Sequence, residues 1–155
     1  MKIKIVLIGS MVILFLSFTL KHKSQITIWS GSGDAKQDIV LNKVEIKNKS
    51  LTNITYSFKN IRYGSIIDTG SFTIKTQTEL NQLIIDLKGA LENIGVKNKI
   101  VWERVKYTIS VGGLAPLKKG HFRIEIGENF CPIHKKDAKK LIKGLEAKVE
   151  SLPVK

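Results

Sequence analysis

Cysteine is almost absent from this 155-residue chain; the single one is Cys131. No intramolecular disulfide can form, so stability has to come from a packed core. No cysteine directly follows the N-terminal apolar run, which excludes a bacterial lipoprotein anchor. Acid is scarce as well: 13 Asp and Glu stand against 26 Lys and Arg, for a net charge of +13. Those carboxylates are scattered, with no local cluster to supply the paired acid and base of glycan hydrolysis. Ser30-Gly31-Ser32-Gly33-Asp34 lacks the Gly-Lys-Ser/Thr of a nucleotide loop and the third glycine of a dinucleotide loop. It reads as a flexible turn. No cofactor motif is present and no catalytic constellation stands out, so the sequence points away from an enzyme.

What the chain does have begins at its N-terminus. Lys2 and Lys4 precede Ile5–Leu20, a run without charge, and Lys21 and Lys23 close it. A positive start, an apolar stretch and a polar boundary form the pattern of a secretory signal or signal anchor. The positive charge holds the start in the cytoplasm while the apolar part enters lipid. Residues 1–24 are therefore expected to be a targeting helix, either a signal peptide or a signal anchor. Small residues for cleavage are poor, Ser17 and Thr19 being the best placed. As a helix the run spans about 24 Å against about 30 Å of hydrocarbon. Flanking lysines can snorkel across that difference. Both fates stay open, and both place residues 25–155 outside the cytoplasm, secreted or anchored, in a bacterial-type envelope.

Residues 25–155 read as one domain, large enough to bury about two-thirds of its unfolded surface. They keep 22 basic and 13 acidic residues, a net of +9. That balance favours anionic surroundings. Strand candidates alternate apolar and polar side chains. Val40, Asn42, Val44 and Ile46 lie on one side of residues 38–47, and Ile54, Tyr56 and Phe58 on one side of residues 53–60. Val105, Tyr107, Ile109 and Val111 alternate in residues 104–111, as do Phe122, Ile124 and Ile126 in residues 121–126. Shorter candidates lie at residues 25–29, 71–75 and 98–103, with turns at 47–53, 68–70 and 112–120.

Thr76 and Glu79 form a capping box ahead of an apolar stripe of Leu80, Leu83, Ile84, Leu87, Leu91 and Ile94. The spacing predicts a helix over about 77–94, with Gly95 as its C-cap. Ala138, Leu141, Ile142, Leu145 and Val149 predict a second over about 136–151. At an offset of 58, residues 72–87 fall on 130–145 with Phe72 on Phe130 and Leu83 on Leu141, which raises a weak βββα duplication. The expected fold is α+β: an antiparallel β-sheet of about five to seven strands with both helices packed on one face.

Two groups of residues carry candidate chemistry. His121, Cys131 and His134 are of the types that ligate zinc, with Glu125 and Glu128 between them. A thiol beside an imidazole also belongs to nucleophilic enzymes. The plainer reading makes Cys131 a small buried residue and His134 the cap of the second helix. Lys135, Lys136, Lys139, Lys140 and Lys143 give that helix a basic face suited to an anionic polymer or lipid surface. It has no aromatic or Arg interleaving, which argues against nucleic acid. The leading expectation is an exported, membrane-tethered binding domain, held by residues 5–20 if uncleaved, whose ligand is a protein or an anionic envelope component. The alternatives are a small metal- or thiol-dependent enzyme using Cys131, His134 and His121, and an anionic-lipid-binding surface domain.

Overall fold

The structure, a computed structural model, describes residues 22–31, 35–46, 49–62, 65–113 and 120–154. The expected targeting run at residues 5–20 and the Ser32-Gly33-Asp34 part of the expected turn lie outside the described residues. Among the described residues no helix is long and apolar enough to cross a membrane.

Apolar–polar alternation builds eight strands among the described residues. The first four are β1 (His22–Gly31), β2 (Ala35–Ile46), β3 (Lys49–Arg62) and β4 (Ser65–Ile74), paired antiparallel in chain order. Helix α1 (Gln77–Glu92) follows, then β5 (Ile100–Glu103), β6 (Thr108–Val111), β7 (His121–Ile126) and β8 (Asn129–His134), also antiparallel in order. Helix α2 (Lys135–Glu146) and a short 3-10 turn (Val149–Ser151) complete the chain. The class is α+β as expected. The single sheet of about five to seven strands is corrected to two antiparallel sheets, with four strands of each among the described residues.

Three local readings change for physical reasons. Asp68-Thr69-Gly70 is not a turn but the middle of β4. Gly70 is there because Phe58 fills the space beside it; a Cβ would stand 2.6 Å from Phe58 Cε1. Residues 104–107 are not strand: Arg104 N–H donates to Tyr107 O at 2.9 Å and closes a turn. β8 was not expected, because Pro132 interrupts its pattern. Pro132 lies at the edge of its sheet, opposite Arg123, where a missing N–H breaks no second ladder.

Thr76 Oγ1 accepts from Glu79 N–H at 3.3 Å, and the Glu79 carboxylate reaches back to Lys75 N–H at 2.7 Å. The expected capping box therefore starts α1. The helix ends at Glu92 with Asn93 as C-cap, and Gly95 (φ +98°) turns the chain two residues later. α2 starts one residue before its expected boundary and ends at Glu146. There Lys148 N–H bonds Leu145 O and tightens the chain toward the 3-10 turn.

The inward faces of both sheets and both helices share one core. α1, which follows the first sheet, lies against β6 of the second; α2, which follows the second sheet, lies against β1 of the first. Glycine permits both approaches. A Cβ at Gly89 would meet Trp102 Cζ2 at 2.9 Å, and one at Gly144 would meet Ile28 Cγ2 at 3.0 Å. β4 and β8 lie side by side where the halves meet, and Asn129 Nδ2 donates to Thr69 O at 2.7 Å across that seam.

The strand registers of the two halves can be laid on each other. Phe72 pairs Tyr56, Tyr56 pairs Ile39, and Ile39 pairs Trp29. In the second half Cys131 pairs Ile124, Ile124 pairs Ile109, and Ile109 pairs Trp102. The two tryptophans of the chain thus occupy matching register positions on the first strand of each sheet.

Candidate functional site

β8 separates the residues first grouped as a metal or thiol site. Cys131 is fully buried on the core face of the strand. It lies beside Tyr56, whose phenol is pushed well up first by burial and then by Cys131. The Tyr56 hydroxyl donates to Gln37 Oε1 at 3.0 Å, also inside the core. His134, three residues on, faces the other side, since strand side chains alternate. There it pairs across the ladder with His121, with ring centres 4.9 Å apart. The structure therefore brings the two histidines together and turns the cysteine away from them. Among the described residues no group of three or more His, Cys, Asp or Glu is placed to hold a metal.

His134 is the N-cap of α2, as the plainer reading expected. Its Nδ1 accepts the Lys136 N–H at 3.3 Å. A neutral imidazole that accepts at Nδ1 carries its proton on Nε2. That nitrogen is then a donor, and metal-ligating histidines show the reverse arrangement, donating from the second nitrogen.

The α2 lysines form one surface. At 3.6 residues per turn, Lys135, Lys136, Lys139, Lys140 and Lys143 fall within an arc of about 140°. All five are exposed. Ala138, Leu141, Ile142 and Leu145 cover the opposite side and are buried in the core. The apolar stripe is thus not available to enter lipid, and any contact made by α2 with a membrane is electrostatic. Among the described residues none of the five lysines pairs with an acid; Lys88 on α1 instead takes Glu146, at 2.8 Å.

No family model, curated protein or solved structure matches the chain. The chemistry of the surfaces themselves carries the functional reading.

One polar centre was missed in the sequence. Asp86, on the buried side of α1, is fully shielded from solvent. Arg104 Nε and Nη2 donate to its two oxygens at 2.9 and 2.8 Å, Tyr107 Oη donates at 3.0 Å and Gln82 Nε2 at 3.0 Å. Burial first, and Asp86 second, push the Tyr107 phenol up, so it stays a donor. Above this network, α1 and the turn after β5 border a cleft of about 270 Å³, reached by Ile74, Thr78, Lys106 and fully exposed Val105. Lys106 Nζ is held at the rim by Glu79 Oε1 at 2.6 Å and Thr73 O at 2.8 Å. Every charge at this cleft is already partnered, which marks the network as the clamp that ties the β5–β6 turn to α1.

The second group missed is on the helix-free face of the second sheet. Arg123 lies over the Phe130 ring at 5.7 Å, with its Nε 3.3 Å from Glu125 Oε1. Strand alternation already turns Arg123 and Glu125 toward His121. The signal that was lacking is the register with β8, which brings His134 and Phe130 beside them.

Proposed function

We propose that the chain is an exported, membrane-tethered binding domain whose ligand is an anionic component of the envelope. The observation that carries this is the lysine face of α2: five exposed cations without acidic partners among the described residues, on a helix whose apolar side is committed to the core. A face of that kind offers a row of charge at fixed spacing and no hydrophobic grip. It suits a ligand that presents repeated negative charge. The N-terminal run at residues 5–20 supports location outside the cytoplasm. β1 starts at His22, two residues beyond that run, so little chain is left between a membrane anchor and the folded domain. That spacing favours the uncleaved anchor.

We also infer that the two halves, each four strands and a helix, descend from one duplicated unit. Matching positions drift: the offset is 73 between Trp29 and Trp102, 70 between Ile39 and Ile109, 68 between Tyr56 and Ile124, 59 between Phe72 and Cys131, and 58 between Leu83 and Leu141. Shorter connections in the second half account for the drift, and a fixed offset therefore survives only in the helices.

The test is retention of the full-length chain on an immobilised polyanion, polyphosphate for example, as salt is raised. A lysine beside an anionic surface contributes about 1 kcal/mol. Replacing Lys139, Lys140 and Lys143 by Gln is expected to weaken binding roughly a hundredfold at low salt and to flatten its salt dependence. Binding that ignores both salt and the triple substitution would sink the proposal.

A further inference from the structure

The clamp around Asp86 spends its acids fully and its cations only in part. Both Asp86 oxygens accept, from Arg104, Tyr107 and Gln82, and both Glu79 oxygens accept, from Lys106 and Lys75. The donors are not used up. A guanidinium carries five N–H groups, an ammonium three and a side-chain amide two. Arg104 gives Nε–H and one Nη2–H to Asp86, and one Nη1–H to Glu103 O at 3.3 Å. Lys106 Nζ gives one N–H to Glu79 Oε1 and one to Thr73 O. Gln82 Nε2 gives one to Asp86 Oδ1. Among the described residues nothing takes the N–H left on each Nη of Arg104, the third of Lys106 or the second of Gln82. These three residues border the same cleft, and the Arg104 side chain is 40% exposed. Ile74 and Tyr107, both buried, form the floor of that cleft, and Val105 stands at its rim. An apolar floor thus meets an excess of donors.

We propose that this cleft binds a small carboxylic acid with an apolar side group, either a free N-acylated amino acid or the last residue of a peptide. The carboxylate meets the spare N–H groups of Arg104, with Lys106 Nζ beside them, and the side group rests on Ile74 and the Tyr107 ring. A guanidinium matches a carboxylate because both are planar. Asp86 already holds Arg104 in place, so little side-chain freedom is lost when the ligand arrives. Size sets a limit. Drug-sized ligands occupy pockets of about 300–1,000 Å³, so a cleft of about 270 Å³ suits a single capped residue. Charge sets another. Arg104 and Lys106 are each matched by one acid, Asp86 and Glu79. The cleft is therefore near neutral and suits a singly charged acid better than a phosphate dianion, which would also leave the apolar floor bare. This site goes beyond the polyanion face proposed above. It lies on α1 and the β5–β6 turn and uses none of the α2 lysines.

The experiment follows the Ile74 and Val105 methyl resonances of the full-length chain in maltoside micelles, at neutral pH and constant ionic strength. The probes are N-acetyl-leucine, N-acetyl-valine and N-acetyl-phenylalanine, the uncharged amide of each, and acetate. At least one acid is expected to move both methyls saturably, with its amide roughly tenfold or more weaker. Acetate, which has the charge without the side group, is expected not to saturate over the same range. Arg104→Lys keeps a charge beside Asp86 without the spare N–H pair and is expected to weaken the acid toward its amide, an unchanged amide spectrum showing that it folds. Val105→Glu keeps the test independent of folding, because Val105 is fully exposed. It sets a carboxylate at the rim, and read at Ile74 it is expected to weaken the acid severalfold and the amide hardly at all. The Lys139, Lys140 and Lys143 triple substitution is expected to leave the response unchanged, so the cleft and the polyanion face can fail separately. A longer peptide that ends in the same residue and binds more tightly than the acetylated residue assigns the acid to a peptide terminus; equal or weaker binding assigns it to a free acid. An amide or acetate that binds as well as the acid, an acid that ignores Val105→Glu, or no saturable movement with any of the three acids overturns the proposal.

Discussion

Asp86 shows what one residue costs and secures. A carboxylate with no solvent contact is tolerated only when its lone pairs are filled, and here four donors from Arg104, Tyr107 and Gln82 fill them. The partners are unequal, since the Arg104 side chain is 40% exposed and Asp86 is not exposed at all. Removing the exposed partner strands a buried charge; removing the buried one lets Arg104 turn to water. Arg104→Leu is therefore expected to destabilise more than Asp86→Asn, which should cost about 2 kcal/mol; urea unfolding of both decides it. At the α2 start, His134→Ala should lose about 1 kcal/mol of cap while His134→Ser keeps it, by the same measurement. Glu79 sets a pH limit. Desolvation acts to raise its pKa, but the bonds from Lys106 and Lys75 outweigh it and lower the pKa below the usual carboxylate value. A lowered folded pKa gives stability that is present above the unfolded value and lost as pH falls through the folded one. Stability between about pH 5 and pH 3 should thus fall less steeply in Glu79→Gln than in the parent. Equal acid limbs for the two proteins would count against the Lys106 and Lys75 contacts.

Elements differed in how openly the sequence declared them. α1 was legible almost to the residue, because its stripe, capping box and boundaries are all local. The positions of α2 that face inward were legible for the same reason. The first part of β4 and all of β8 were not, although residues 71–75 read as strand, because a glycine and a proline that signal turns in isolation serve the sheet here. Gly70 can be understood only with Phe58 from the neighbouring strand in view, and Pro132 only once β8 is known to be an edge. The candidate site divides in the same way. The lysine face and the His134 cap follow from helix periodicity, whereas the contacts of His121 with His134 and of Arg123 with Phe130 need a cross-strand register. Gly70→Ala tests this account of β4. Its Cβ would collide with a Phe58 ring that is only 2% exposed and has no room to turn. Overpacking of that kind costs about 1–3 kcal/mol. Phe58→Leu is expected to restore part of the loss in the double variant, so the two changes should be less than additive in urea unfolding; simple additivity would mean that the contact does not matter.

At the scale of the whole molecule, the helices bind the halves together. α1 reaches β6 and Trp102, and α2 reaches β1 and Ile28, so each half lends its helix to the other. Neither four-stranded sheet keeps a full cover if the other is removed. Leu80, Leu83 and Leu87 on α1 and Leu141 and Leu145 on α2 are buried in the one core that both halves share, so an isolated half leaves part of its helix uncovered. Each fully buried leucine is worth about 1.5–3 kcal/mol, so the exposure exceeds what a half of this size can offset from its own core. Two consequences follow for the described domain. Its unfolding should be a single transition, with Trp102 fluorescence and far-ultraviolet dichroism coinciding. Residues 22–94 and 95–155, produced separately, should each lack a cooperative transition yet recover one when mixed at equal amounts. A first half that unfolds cooperatively as a monomer would show that its helix closes on its own sheet, and the exchange of helices would then not be what holds the molecule together.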